Sequence, residues 1–167
     1  MKRVLQFFLI APFLLGACST KQVLVESKYN RLENIKSLSV VKNDSIKVIP
    51  KAVYPPYNKI DQFVIKTDVA FIRTDSILCE ELSKRDISCE IIYSNSEVSS
   101  ESYYLQYQEY WAWDMGQFMP VMKIWLLKDN ETIRSVASEG NTAGMHDYPT
   151  PGKQVPLLID LLLKNRD

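Results

Sequence analysis

Alternating side-chain character in residues 103–113 constrains the fold of this chain more than any other feature. Large apolar side chains recur at every second position, which is typical of a strand with one buried face. They are Tyr103, Leu105, Tyr107, Trp111 and Trp113, with Glu109 as the exception. Residues 121–128 and 132–138 are also predicted strands, and Asp129-Asn130 between them is a two-residue hairpin signal. The sequence therefore predicts an antiparallel three-stranded unit.

A different order of elements is predicted before this unit. Residues 38–42 read as a strand, with a short continuation over 46–49, and residues 87–93 read as another strand. Helical spacing of apolar residues predicts a helix over 68–84, or a shorter one capped by Thr74 or Asp75. A strand–helix–strand order favours two parallel strands joined by a crossover. A mostly apolar segment at 155–164 predicts a closing helix.

The predicted fold class is α+β in a single domain, since 167 residues are too few for more than one typical domain. We expect one sheet of four to five mainly antiparallel strands over residues 37–167. The strand–helix–strand unit and the C-terminal helix should place both helices on one face of that sheet.

The first 17 residues have the layout of a signal peptide. Lys2 and Arg3 precede an apolar run over residues 4–15, which would span about 18 Å as a helix, against about 30 Å for a bilayer core. The run ends in Leu15-Gly16-Ala17-Cys18. This pattern resembles the lipobox of bacterial lipoproteins, which implies cleavage before Cys18 and acylation of that residue. An ordinary secretory signal with a chance cysteine is the alternative.

The resemblance to lipoproteins also implies a cellular location. Ser19 stands where Asp would retain an enteric lipoprotein in the inner membrane, so outer-membrane anchoring on the periplasmic side is expected. Residues 18–36 are polar and are predicted to be a tether. From residue 38 to 164, the element order and the strand end Trp111-Ala112-Trp113-Asp114 resemble a family of small uncharacterised proteobacterial envelope lipoproteins. That family implies no activity.

Acylation of Cys18 would leave Cys79 and Cys89 in a compartment that permits disulfides. The predicted helix and strand put them at similar heights, but ideal packing would leave their Cα atoms about 7.5 Å apart, beyond the usual limit of about 6.8 Å. A disulfide and two buried thiols therefore both remain open.

Chemistry-bearing motifs are scarce. His146 is the single histidine, and the sequence has no nucleophile elbow, phosphate loop, HExxH or CxxC motif, so no catalytic residue, metal site or cofactor is predicted. A small periplasmic hydrolase or lyase using His146 with Asp147 or Asp114 is the alternative. Lys and Arg number 20, as do Asp and Glu, so nucleic acid is not an expected partner.

Aromatic residues are concentrated in one segment, with eight of them within residues 103–125. Tyr104 and Tyr110 fall on the polar side of the alternating strand, and Trp125 follows in the next strand. One interpretation is a binding surface around these three residues for an envelope protein or polymer. The other is a wide core strand whose large side chains fill the space beside the helices.

Overall fold

A computed structural model describes residues 21–29, 32, 34–43, 45–48, 63–66, 73–99, 102–113, 117–139 and 150–165. These residues form an α+β fold with one mixed sheet and two helices, so the predicted class is confirmed at that level. The strands are β1 (Lys21–Ser27), β2 (Ser37–Val41), β3 (Ser45–Val48), β4 (Phe63–Lys66), β5 (Ser88–Ile92), β6 (Tyr103–Trp113), β7 (Gln117–Lys128) and β8 (Glu131–Glu139). The helices are α1 (Thr74–Ser83) and α2 (Pro151–Leu163).

Six strands follow one another across the sheet in the order β1-β8-β7-β6-β2-β5. The β3–β4 pair joins the same sheet through β3, which runs parallel to the second half of β6. One side of β6 is antiparallel and the other is parallel, because β2 pairs parallel with both β5 and β6. The expectation of four to five mainly antiparallel strands was therefore too low in number and too uniform in direction.

The predicted tether over residues 18–36 was wrong for residues 21–27. They form β1, which pairs antiparallel with β8 and begins at the pair Lys21 and Glu139. The segment shows weak alternation because a bulge interrupts its register between Leu24 and Glu26. Cross-strand pairing with residues more than 100 positions away supplies the hydrogen bonds that local sequence does not reveal.

The strand–helix–strand prediction is confirmed for β2, α1 and β5, whose two strands are adjacent and parallel. The described helix begins at Thr74, as the shorter alternative expected, although Arg73 occupies the N-cap without a capping side chain. Asp75 instead accepts a hydrogen bond from the Ser76 amide at 2.8 Å. α2 begins at Pro151, four residues before the predicted start, because proline is compatible with the first turn of a helix.

The three-stranded unit β6–β7–β8 follows the prediction closely. Asp129 and Asn130 have φ angles of 53° and 61°, the left-handed conformation that a two-residue hairpin of this kind requires. At the other end, the register of β6 and β7 shifts between Tyr110 and Ala112. β7 contributes the extra residue beside Pro120, which cannot donate to the ladder.

Both helices pack on one face of the sheet, as predicted. Leu78 and Leu82 of α1 and Leu158 of α2 belong to the same buried cluster as Leu105 and Ile124 of the sheet. Gln22 Nε2 in β1 donates a 3.1 Å hydrogen bond to Gln154 Oε1 in the first turn of α2. This contact places the start of α2 beside the start of β1.

Candidate functional site

Of the three residues in the predicted binding surface, Tyr104 and Tyr110 are buried and Trp125 is half-buried. All three residues lie on the sheet face opposite the helices, but Tyr104 is 2% exposed and Tyr110 is 8% exposed. The Tyr104 hydroxyl donates a 2.8 Å hydrogen bond to Asn130 Oδ1 in the hairpin turn. The expectation that these two tyrosines form a docking surface was wrong, because both side chains are buried.

Trp125 remains half-buried on this face. The register sets it opposite Gln106, and the next pair along the same face is Lys123 with Gln108. All four of these side chains are intermediate in exposure. The Lys123 ammonium lies 5.9 Å from the centre of the Tyr110 ring, close enough for a cation–π contact. An indole, two amides and an ammonium thus line the middle of this face, which we call the Trp125 face.

Large exposed apolar side chains lie apart in the described portion of the chain. They are Val25, Tyr29, Tyr93 and Leu157. Val25 lies in β1, Tyr29 follows that strand, Tyr93 follows β5, and Leu157 lies in α2. Single apolar residues of this kind are ordinary on protein surfaces and define no docking patch.

A buried carboxylate lies on the helix side of β6. Glu109 is 5% exposed, and its Oε2 accepts a 2.8 Å hydrogen bond from the Trp111 indole. Burial raises the pKa of Glu109, with a smaller contribution from the charge of Asp75, while Thr74 and Trp111 oppose the rise. The buried Thr74 hydroxyl is near enough to affect this pKa but meets no normal hydrogen-bond geometry among the described residues.

Glu109, Thr74 and Trp111 form a group that we call the Glu109 cluster. Its buried carboxyl group can hold a proton beside the first residue of α1. The sequence contained one signal for it, since Glu109 is the one charged residue on the apolar side of the alternating strand. A buried carboxylate with a single indole partner supplies neither a nucleophile nor a pair of acids for catalysis. We therefore interpret the Glu109 cluster as a contact between α1 and β6 whose stability depends on pH.

Cys79 in α1 and Cys89 in β5 form a disulfide in the structure. Their Cα atoms are 5.2 Å apart, well below the separation of about 7.5 Å expected from ideal packing. Distances between packed elements depend on the side chains at the contact, and two cysteines at this contact allow a close approach. The bond joins α1 to the last strand of the six-strand path.

The remaining predicted site residues lie outside the described residues. These are Cys18, the candidate lipidation site, and the candidate catalytic set of His146, Asp147 and Asp114. Within the described ranges, no three His, Cys, Asp or Glu residues are grouped as a metal site would need. The helices in those ranges include none that is both long and apolar enough to cross a membrane.

Comparison with known proteins finds similarity only among solved structures. No family model matches the chain, and no curated protein matches it. Among solved structures, it is similar to a dodecamer of a PelC variant from Paraburkholderia phytofirmans. The two share 15% identity over 87% of this chain and 95% of the other, with a TM-score of 0.46.

Proposed function

We propose that this chain is a bacterial envelope lipoprotein, anchored to the outer membrane through acyl chains on Cys18. Its domain would face the periplasm and serve as a non-catalytic binding or accessory module. The observation that carries the proposal is Leu15-Gly16-Ala17-Cys18 at the end of a short apolar run. Two small residues before a cysteine, at that distance from a positive N-terminus, are what lipoprotein processing requires.

Several acyl chains on one residue explain how such an anchor would hold the domain. Each buried CH₂ contributes about 0.8 kcal/mol, so one chain binds marginally and two or more bind durably. A soluble domain of this size would then be confined to a membrane surface without any spanning helix.

Lipidation can be tested with two matched variants. We expect Cys18→Ser to lose radiolabelled palmitate and to accumulate as an unprocessed precursor, whereas the neighbouring Ser19→Ala is labelled like the wild type. Intact mass of the mature protein should show acyl groups at Cys18. An unmodified N-terminus, or complete release from membranes by carbonate, would contradict the proposal.

The Trp125 face is the part of the domain that best fits a partner. An indole can stack on an apolar surface or a sugar ring, and the amides of Gln106 and Gln108 can donate and accept hydrogen bonds. This combination suits an envelope protein or polymer with many hydroxyl or amide groups. It replaces the surface centred on Tyr104 and Tyr110, which are buried.

Crosslinking in living cells can test this docking face. Trp125→Ala should remove neighbours captured by the tagged wild-type protein. Tyr93→Ala should retain them, because Tyr93 is a 73% exposed aromatic residue away from this face. If the two variants capture the same neighbours in the same amounts, the Trp125 face is not where the partner binds.

A further inference from the structure

β5 (Ser88–Ile92) is the last strand of the six-strand path, and among the described residues only β2 pairs with it. We infer that the outer edge of β5, here called the β5 edge, binds an extended segment of another polypeptide. That segment adds to the sheet as a further strand and carries alternating apolar and basic side chains. The β5 edge is separate from the Trp125 face, and its use does not depend on acylation of Cys18.

Hydrogen bonds between β5 and β2 show which backbone groups point inward. The Ser88 amide donates to the Lys36 carbonyl oxygen at 2.8 Å, and the Lys42 amide donates to the Ile92 carbonyl oxygen at 2.8 Å. Backbone groups alternate between the two sides of a strand, so every second residue from Ser88 to Ile92 bonds to β2. The other residues of β5 direct their amides and carbonyls away from the sheet.

Cys89 and Ile91 are the residues whose backbone groups point outward. Each has an amide donor and a carbonyl acceptor there, and in the part of the chain that the structure describes no strand pairs with that side of β5. Both residues are partly exposed. An antiparallel strand beside them can form one hydrogen bond with each of these groups. The β5 edge is therefore of the kind to which extended peptides add.

The segments next to β5 turn away from this edge. Before the strand, the Ile87 amide donates to the Leu82 carbonyl oxygen in α1, which packs on the helix side of the sheet. After the strand, Asn95 Nδ2 donates a 3.5 Å hydrogen bond to Asn130 Oδ1 in the turn between β7 and β8. The chain thus leaves β5 towards the middle of the sheet, and neither of these described connections runs along its outer side.

β1, at the opposite end of the six-strand path, has features that oppose strand addition, and β5 lacks them. A bulge interrupts β1 between Leu24 and Glu26, and Lys21 begins the strand. Bulges and lysines are common means of protecting an edge strand from further pairing. β5 pairs with β2 in continuous register from Ser88 to Ile92 and contains neither lysine nor proline. Of these two strands, β5 is therefore the better suited to a partner.

The charge around the β5 edge favours a basic partner. Residues 73–97, which contain α1, β5 and their connections, have six acidic and three basic side chains, a balance of −3 in a chain with no net formal charge. Lys84 and Arg85 are paired with carboxylates of α1 and α2. Glu90 is the charged residue of β5 itself, and its exposed side chain accepts a 2.8 Å hydrogen bond from the Ser39 hydroxyl. Basic side chains on an added strand would lie in this acidic region.

Glu90 also sets the pattern of the partner. Its backbone bonds to β2, so towards an added antiparallel strand it takes the closely spaced, non-hydrogen-bonded position, where a lysine or arginine forms a favourable pair. Cys89 is bonded to α1, and Ile91 lies beside core residue Val40, so partner residues opposite these two are best apolar. A second copy of β5 paired about Glu90 would instead set two carboxylates opposite each other, which is unfavourable.

Two blocked peptides of about seven residues can test the β5 edge, one alternating lysine with valine and the other glutamate with valine. We expect the lysine peptide to bind the full-length mature protein about tenfold more tightly, because the pair with Glu90 changes from repulsive to attractive. Amide exchange measured by NMR should slow at Cys89 and Ile91 and stay unchanged in β1. Lack of binding of the lysine peptide at about 1 mM, or protection of β1 instead, would overturn the inference.

Reversal of the charge at Glu90 tests the specificity. Glu90→Lys should exchange the order of the two peptides, so that the glutamate peptide binds more tightly. Glu26→Lys is the matched control, because Glu26 is an exposed acid of β1 at the opposite end of the six-strand path, and this variant should still prefer the lysine peptide. If Glu90→Lys also prefers the lysine peptide, no partner strand pairs with Glu90 and the inference fails.

Ile91→Pro tests whether backbone pairing holds the peptide. Proline removes the outward amide of residue 91 and leaves the amides that bond to β2, so binding should weaken about tenfold while chemical denaturation still shows a folded protein. Unchanged binding would show that the peptide does not add as a strand. The charge reversal at Glu90 gives an independent answer if the proline variant does not fold.

A second copy of this chain is the other candidate occupant of the β5 edge. Amide exchange without peptide, measured over a range of protein concentrations, distinguishes the two. We expect Cys89 and Ile91 to exchange at rates that do not change with concentration. Protection of these two amides that rises with concentration would identify a second copy on the edge and would overturn its assignment to a different polypeptide.

Discussion

Arg134 Nη1 in β8 donates a 2.7 Å hydrogen bond to the carbonyl oxygen of Leu162 in the last turn of α2. The same nitrogen donates to the Lys164 carbonyl, and the rest of the guanidinium donates to the Tyr29 carbonyl and the Ser27 hydroxyl. Arg134 is 1% exposed, so a buried cation closes the negative end of a helix and also fixes the chain that leaves β1. One side chain of β8 therefore contacts both the end of α2 and the chain that leaves β1.

Arg134→Lys should destabilise the domain by about 3 kcal/mol, because one ammonium cannot reach acceptors arranged around a planar guanidinium. The measurement is chemical denaturation of the mature domain. Lys164→Ala is the control, since Lys164 contributes its carbonyl and its side chain is exposed; that variant should change stability by less than about 0.5 kcal/mol. Similar losses in both variants would show that Arg134 does not bridge these elements.

Glu109 should make stability depend on pH. Burial raises its pKa in the folded state above the ordinary value of 4.5, so the folded protein binds a proton that the unfolded chain releases. Its contribution is complete below pH 4.5 and is lost as the pH rises through the folded-state pKa. Glu109→Gln keeps an acceptor for Trp111 and does not titrate. Its stability relative to the wild type should therefore grow as the pH rises above 4.5, as denaturation across pH would measure. A difference that stays constant with pH would contradict this assignment.

Removal of the disulfide should lower stability by about 3 kcal/mol, as loop-closure entropy gives for cysteines separated by 10 positions. The double variant Cys79→Ala with Cys89→Ala is compared with the wild type, each with and without a reductant. The reductant should bring the wild type near the level of the variant and leave the variant unchanged. Two free thiols in the denatured, unreduced mature protein would show that the bond is absent.

Tyr104 should behave as a core residue. Tyr104→Ala should cost about 3–5 kcal/mol through the cavity it leaves, and Tyr104→Phe about 1 kcal/mol through the lost hydrogen bond to Asn130. Tyr93→Ala is the control of the same residue type, because Tyr93 is 73% exposed and contacts Lys42 through its ring. Its cost should be below about 1 kcal/mol. Thermal unfolding of the three variants measures these differences. Equal losses of stability in the two alanine variants would show that Tyr104 is not a core residue.

Local patterns in the sequence determined the elements whose evidence lies within a few residues. Alternation over 103–113 predicted β6, Asp129-Asn130 predicted the hairpin, and the strand–helix–strand order predicted that β2 and β5 are parallel. The signal layout and lipobox likewise lie within the first 18 residues, and they predict anchoring at a membrane. Periodicity along the chain encodes these features because a side chain's direction follows from its position in a strand or helix.

Tertiary structure alone decided which residues meet across long separations. β1 exists because β8, more than 100 residues away, supplies its hydrogen bonds, and Tyr104 is buried although its position in the alternation places it on the polar side of β6. The contact of Glu109 with α1 and the approach of Cys79 to Cys89 depend on how closely a helix packs on the sheet. Alternation can say that two faces differ, but burial is set by whatever packs against each face, and local sequence does not contain that information.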